Sequence, residues 1–158
     1  MKKPFLVLMS ALLFSAIPAI AKEDAPRGFQ PLAELKEAQE KAVADKKLVV
    51  LVVKGMDDEC PNCAAALANG MDAVGSGVVK VFARAETIGQ ADSSAFPPAL
   101  KDRIKKHFTT GAAVTFVVFD PAMTRIVAEA GRNELQEDKK ATAEFKKKVQ
   151  EAKKAGKS

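Results

Sequence analysis

The 158-residue chain holds two cysteines, and both lie in one motif, Cys60-Pro61-Asn62-Cys63. A thiolate is the nucleophile of disulfide exchange, so at this spacing one sulfur can attack a disulfide and the other can resolve the mixed disulfide that results. Ala64-Ala65-Ala66-Leu67-Ala68 follow at once and are strong helix formers. The motif should therefore open a helix, with Cys60 at its N-terminus and Cys63 in the first turn. Unpaired N–H groups and the helix dipole favour negative charge there, which makes Cys60 the expected attacking sulfur. Asp57, Asp58 and Glu59 act the other way, because like charge raises a thiol pKa; the nearest basic residue in sequence is Lys54. The same three acids also read as a plain solvated loop.

Other uses of the pair fare worse. A disulfide closing so short a loop would add only ~2 kcal/mol in the chain-entropy model, a poor return for a purely structural bond. A structural zinc site needs two further ligands. There is no third cysteine, and the single histidine, His107, lies far along the chain on a helical pattern beside Lys105 and Lys106. No metal and no cofactor are expected within one chain. A metal or cluster shared between two chains is an alternative that metal analysis would separate.

The elements that must position the motif can be read from hydrophobic spacing. Leu32, Leu35, Ala38 and Ala42 recur at three and four residues, a helix starting at Pro31. Leu48-Val49-Val50-Leu51-Val52-Val53 has no alternation and fits a strand buried on both faces. After the cysteine helix, Gly75-Ser76-Gly77 breaks the chain and Val78 to Ala83 reads as a second strand. Glu86 to Phe96 reads as a polar loop. Pro97-Pro98 starts a helix with Leu100, Ile104 and Phe108 on its buried stripe, closed by Gly111. Ala113–Phe119 and Arg125–Ala130 form a hairpin around the turn Asp120-Pro121-Ala122-Met123. A last helix is expected over Glu134 to Ala152. This order implies an α/β sandwich with about four strands in a mixed sheet, helices on both faces, and the cysteines at the C-terminal edge of a central strand.

The first residues describe export. Lys2 and Lys3 precede an apolar stretch from Phe5 to Ile20, and Ala19-Ile20-Ala21 suits a signal peptidase. The stretch is shorter than a membrane-spanning helix and carries Pro18 near its end. Residues 1–21 are thus read as a cleaved signal peptide, 22–30 as a flexible lead-in, 31–153 as one domain and 154–158 as a disordered tail. Export places the cysteines where disulfides form and persist, in a periplasm or outside the cell. Loss of Lys2 and Lys3 lowers the net charge from +5 to +3, and the chain has no Trp or Tyr to stack bases, so little supports nucleic-acid binding. No stable membrane insertion is expected after cleavage, and with no added dimerisation domain the default is a monomer.

These residues resemble the thioredoxin superfamily. The buried valine strand leading to Cys60-Pro61-Asn62-Cys63, the helix it opens, and the stretch from Leu100 through Val114-Thr115-Phe116-Val117-Val118-Phe119-Asp120-Pro121 to Gly131 carry the likeness. It covers most of residues 31–153. The resemblance implies a thioredoxin-like three-layer sandwich and thiol–disulfide oxidoreductase activity on protein thiols or disulfides, served by a separate redox partner. It makes Cys60 the nucleophile and Cys63 the resolving cysteine, and puts substrate binding at Val114 and Thr115. The chain departs from the family in four ways. Glu59 stands where an aromatic residue is usual, and Pro61-Asn62 replaces the Gly-Pro of common cytosolic reductants. No buried acid precedes Lys54. Val114 occupies the place of the family's cis-proline, and a trans bond is expected there because a cis non-proline peptide costs about 2.5–4 kcal/mol. A non-enzymatic binding module on the same scaffold, with an inert disulfide, is the alternative.

The helix and the acidic trio together predict a Cys60 pKa lowered only moderately. A pH-dependent alkylation curve with a midpoint below about 5 would contradict this, since strongly activated Cys-x-x-Cys thiols titrate near 3.5.

Overall fold

Residues 25–55, 60–92, 94, 96–107 and 114–156 are described by a computed structural model of the chain, the side chains of residues 105–107 excepted. Residues 1–21, expected to be a signal peptide, the acidic trio 57–59, Phe108, Gly111 and the last two residues of the expected tail lie outside the described residues, as does the His107 side chain.

The valine-rich run forms β2, Val49–Lys54, and its burial organises the fold. Its hydrogen-bonding edges are taken by β3 (Val79–Arg84), which runs parallel to it, and by β4 (Val114–Phe119), which runs antiparallel. The sheet is completed by β1 (Gln30–Pro31) beside β3 and by β5 (Ile126–Gly131) beside β4, giving the order β1-β3-β2-β4-β5. Successive β2 side chains face opposite sides. Val49, Leu51 and Val53 join one core with Leu35, Ala38 and Ala42 of α1 (Leu35–Asp45), Ile88 of α3 (Ala85–Gln90) and Leu100 and Ile104 of α4 (Pro98–His107). Val50 and Val52 join a second core with α2 (Pro61–Val74), α5 (Arg132–Gln136) and α6 (Lys139–Ala155). The protein is therefore a mixed α/β fold with a five-stranded mixed sheet and helices on both faces.

Four elements differ from expectation. The sheet has five strands rather than four, because Gln30 and Pro31 pair with Val81 and Phe82. A two-residue strand has no periodicity to detect, and proline is tolerated there because it sits at the sheet edge. The end of the lead-in is thus held by the fold, and Phe29 packs edge-on against Phe82 at 6.1 Å. The helix expected from Pro31 begins at Leu35 after one 3₁₀ turn, Leu32–Glu34. Part of the polar loop after residue 85 is helical: α3 contains Thr87 and Gly89, poor helix formers, but burial of Ala85 and Ile88 outweighs their propensity. The last helix is two helices. Asp138 leaves helical geometry and its carboxylate accepts from the Lys140 and Ala141 N–H groups at 2.8 and 2.9 Å, capping α6. That helix then runs to Ala155, into the segment expected to be a tail.

Lysines of α6 pair with Glu144, Glu151 and Asp72 on the surface, as their spacing implies. Lys153 is different: its ammonium donates to the carbonyls of Val74 and Ser76 at 2.6 Å each, closing the C-terminal end of α2. At mid-helix α2 lies close against the sheet. A Cβ on Gly70 would collide with the ring of Phe116, which is itself fully buried and edge-on to Phe145 at 6.3 Å. Gly70→Ala gains ~1 kcal/mol of helix propensity, but overpacking a rigid core ring costs about 1–3 kcal/mol. With so short a contact, the upper part of that range applies, and a net loss of about 1–2 kcal/mol is expected by urea unfolding. Unchanged or increased stability would mean that α2 can lift from β4 freely.

Candidate functional site

Cys60 is the N-cap residue of α2, with extended backbone (φ −69°, ψ 109°), followed by Pro61 in the first helical position. Proline suits that position because its fixed φ is helical and its missing N–H would find no partner inside the helix. The Cys60 carbonyl accepts from the N–H groups of Cys63 and Ala64 at 3.0 and 3.2 Å. Its sulfur accepts from the Cys63 N–H at 3.3 Å. This is the bond a serine or aspartate side chain makes at an N-cap, with sulfur in place of oxygen. Because a charged acceptor bonds more strongly than a neutral one, the contact favours the thiolate form of Cys60.

Burial separates the two sulfurs. Cys60 is half-buried at the surface, whereas Cys63 is 2% exposed and packs in the second core with Ala66 and Leu135. Helix periodicity produces this difference: Cys63, Ala66, Gly70 and Ala73 share the buried face of α2. Asn62, between the cysteines, is exposed, and its Oδ1 accepts from Nε2 of Gln136 on α5 at 3.0 Å. Seven residues further along α2, Asn69 donates to the Leu135 carbonyl at 2.7 Å. Among the described residues, the Gln136 Oε1 is one of two buried side-chain atoms with no hydrogen-bond partner; the other is Arg103 Nε, whose guanidinium pairs with Glu129.

Val114 is the first residue of β4 and pairs with Lys54, the last residue of β2, so it lies on the sheet edge from which the chain continues to Cys60. Its side chain is 1% exposed and that of Thr115 is 8% exposed. A bound peptide would therefore meet this position through backbone. On the β5 side the ladder begins at Thr115, opposite Gly131, one residue later than on the β2 side. No peptide bond among the described residues is cis; the bond entering Val114 starts at Ala113, outside them. Lys54 is also in register with Arg84, so two basic residues end neighbouring strands at this edge. Both have interaction partners of their own.

Of the residues singled out in the sequence, Val114 and Thr115 pair with Lys54 and Val53 at the end of β2, Cys60 to Cys63 open α2, and Cys63 shares the second core with Val114. Sequence reasoning missed Gln136 and Arg84. Arg84 was recoverable from strand register, but Gln136 becomes a neighbour of the motif only because the expected last helix breaks at Asp138. Two cavities are lined by other residues: one of about 390 Å³ between Lys46, Lys47, Ser76 and Lys153, and an open one of about 700 Å³ around Asn133, Glu137 and Lys140. No helix among the described residues is long and apolar enough to cross a membrane.

The burial difference predicts that a thiol-alkylating reagent modifies Cys60 well before Cys63 in the folded, reduced protein, and both at similar rates once it is unfolded. Peptide mass mapping of partial reaction products reads this directly, and equal labelling of the folded protein would show that the first turn of α2 opens freely. Comparison with protein-family models, with curated proteins and with solved structures finds no match for this chain.

Proposed function

We propose that this chain is an exported thiol–disulfide oxidoreductase of thioredoxin-like fold, exchanging disulfides with protein substrates through Cys60 and Cys63. The observation that carries the reading is the pairing of a surface sulfur, set as the cap of a helix and accepting an N–H, with a buried second sulfur one turn later. A structural bond would gain nothing from exposing one partner. The thioredoxin-like assignment draws support from the sheet, in which β1, β3 and β2 are parallel, β4 and β5 are antiparallel, and the motif follows the central strand. Export rests on residues 1–21 of the sequence.

In reduction of a substrate, the Cys60 thiolate attacks one sulfur of the substrate disulfide. The Cys60–substrate mixed disulfide forms as the substrate S–S bond breaks, and the second substrate sulfur leaves as a thiolate that takes up a proton. Cys63, deprotonated, then attacks the Cys60 sulfur, releasing the first substrate sulfur as a thiol. The Cys60–Cys63 disulfide forms, and two electrons have passed to the substrate. Oxidation of a dithiol substrate is the same sequence reversed. A redox partner of dithiol or disulfide type must restore the starting state. A half-buried sulfur at a helix start suits attack by or on a protein segment as substrate. The Val114 backbone, which lies outside the β5 ladder at the end of β4 that pairs with Lys54, is the position proposed to hold one.

A second reading, a binding module with an inert disulfide, is favoured by Val114, which on the family resemblance stands where proline meets substrates and whose side chain is buried. Two measurements separate them. Equilibration with glutathione should give a Cys60–Cys63 reduction potential between about −120 and −270 mV, the range of working dithiol catalysts. Cys63→Ser should accumulate mixed disulfides with protein substrates through Cys60, and Cys60→Ser should form none. A potential below about −300 mV is typical of structural disulfides and would leave the binding module.

A further inference from the structure

We propose that Gln136 is a positioning residue for the cysteine pair, holding the first turn of α2 so that the Cys63 N–H meets the Cys60 sulfur. Three observations combine. The Gln136 amide donates to Asn62, the residue directly between Pro61 and Cys63, at 3.0 Å. The element it comes from is held independently of that contact. Leu135 is buried in the second core and its carbonyl is bonded by Asn69. The Glu134 carboxylate accepts from the Gly131 N–H at 3.0 Å, and the Thr142 hydroxyl donates to the Glu134 carbonyl at 2.7 Å. Gln136 thus reaches the motif from a fixed support rather than from a loop.

The third observation argues that stability does not account for the glutamine. Its Oε1 is buried with no protein hydrogen-bond partner among the described residues. A buried acceptor left unpaired destabilises the fold, and an apolar side chain of similar size would remove that penalty. What the apolar side chain could not do is restrain Asn62. In the first turn of α2, Pro61 contributes no N–H and the Asn62 side chain is exposed, so the contact with Gln136 is what ties Asn62 to α5. Helix ends fray most readily, and fraying here would separate the Cys63 N–H from the Cys60 sulfur. The functional consequence rests on the exchange chemistry proposed above; the positional claim does not.

The test uses Gln136→Leu, Asn62→Ala and the double variant in the full mature chain. Three quantities are measured for each: the urea midpoint, the alkylation rate of Cys60 at pH 7, and the dithiol–disulfide equilibrium with glutathione. Gln136→Leu should keep or raise the urea midpoint, slow alkylation, and shift the equilibrium toward the disulfide by ~2–5-fold, the worth of one hydrogen bond that stabilises the thiolate. Asn62→Ala should change both sulfur readouts similarly, and the double variant should add nothing, because either substitution already breaks the same contact. Lower stability with unchanged sulfur readouts would overturn the proposal, as would effects that multiply in the double variant. Should Gln136→Leu fail to fold, the exposed Asn62→Ala decides alone: unchanged alkylation overturns the tether. A parent protein that does not exchange with glutathione would end the oxidoreductase reading, while the alkylation comparison would still decide the role of Gln136.

Discussion

Burial of β2 on both faces is the constraint from which the rest of the structure follows. Five consecutive apolar side chains, Val49 to Val53, have no exposure to water, and a strand in that position must find hydrogen bonds on both edges and apolar cover above and below. β3 and β4 supply the edges. The helices α1, α3 and α4 cover one side and α2, α5 and α6 the other. Covering the second side requires α2 to lie closely on β4, and at Gly70 there is no room for a Cβ beside the Phe116 ring. Once α2 is seated there, its N-terminus must stand near the end of β2, and the cysteines stand with it.

The site uses the ordinary requirements of a helix start. An N-terminus has N–H groups in need of acceptors, and here the acceptor is a sulfur rather than a hydroxyl or carboxylate oxygen. The interaction that caps the helix also favours an ionised Cys60 sulfur, so in the function proposed above local structure and reactivity rest on one contact. The periodicity of the helix then sends the second sulfur into the core. On the proposed exchange chemistry, a mixed disulfide would form at the half-buried Cys60, with Cys63 shielded beneath it.

The opposite end of α2 shows how the same helix is held at its other terminus. Lys153, from the last turn of α6, bonds carbonyls at and just beyond the end of α2, so α6 secures the far end while α5 faces the motif. The break at Asp138 makes this division possible. A single continuous helix from Glu134 would carry one axis across the sheet, whereas the capped break lets a short helix face the cysteines and a longer one cross the core.

Much of this was legible in the chain itself. The uninterrupted valine run specified a central strand, the alanine-rich stretch after Cys60 specified a helix start, and Asp120-Pro121 specified the hairpin turn, because each depends on neighbours in sequence. The two-residue β1, the helix α3 and the position of Gln136 were not legible, because each exists through partners far away in the chain. Gln30 is a strand residue only beside Val81, and α3 holds only while Ile88 is buried. Gln136 meets Asn62 across 74 residues. The sequence by itself determined which atoms could do chemistry and the helix that presents them. Tertiary structure alone decided what the buried face of α2 packs against and which side chain lies beside the motif, because packing and hydrogen bonding between distant elements exist only once the layers have assembled.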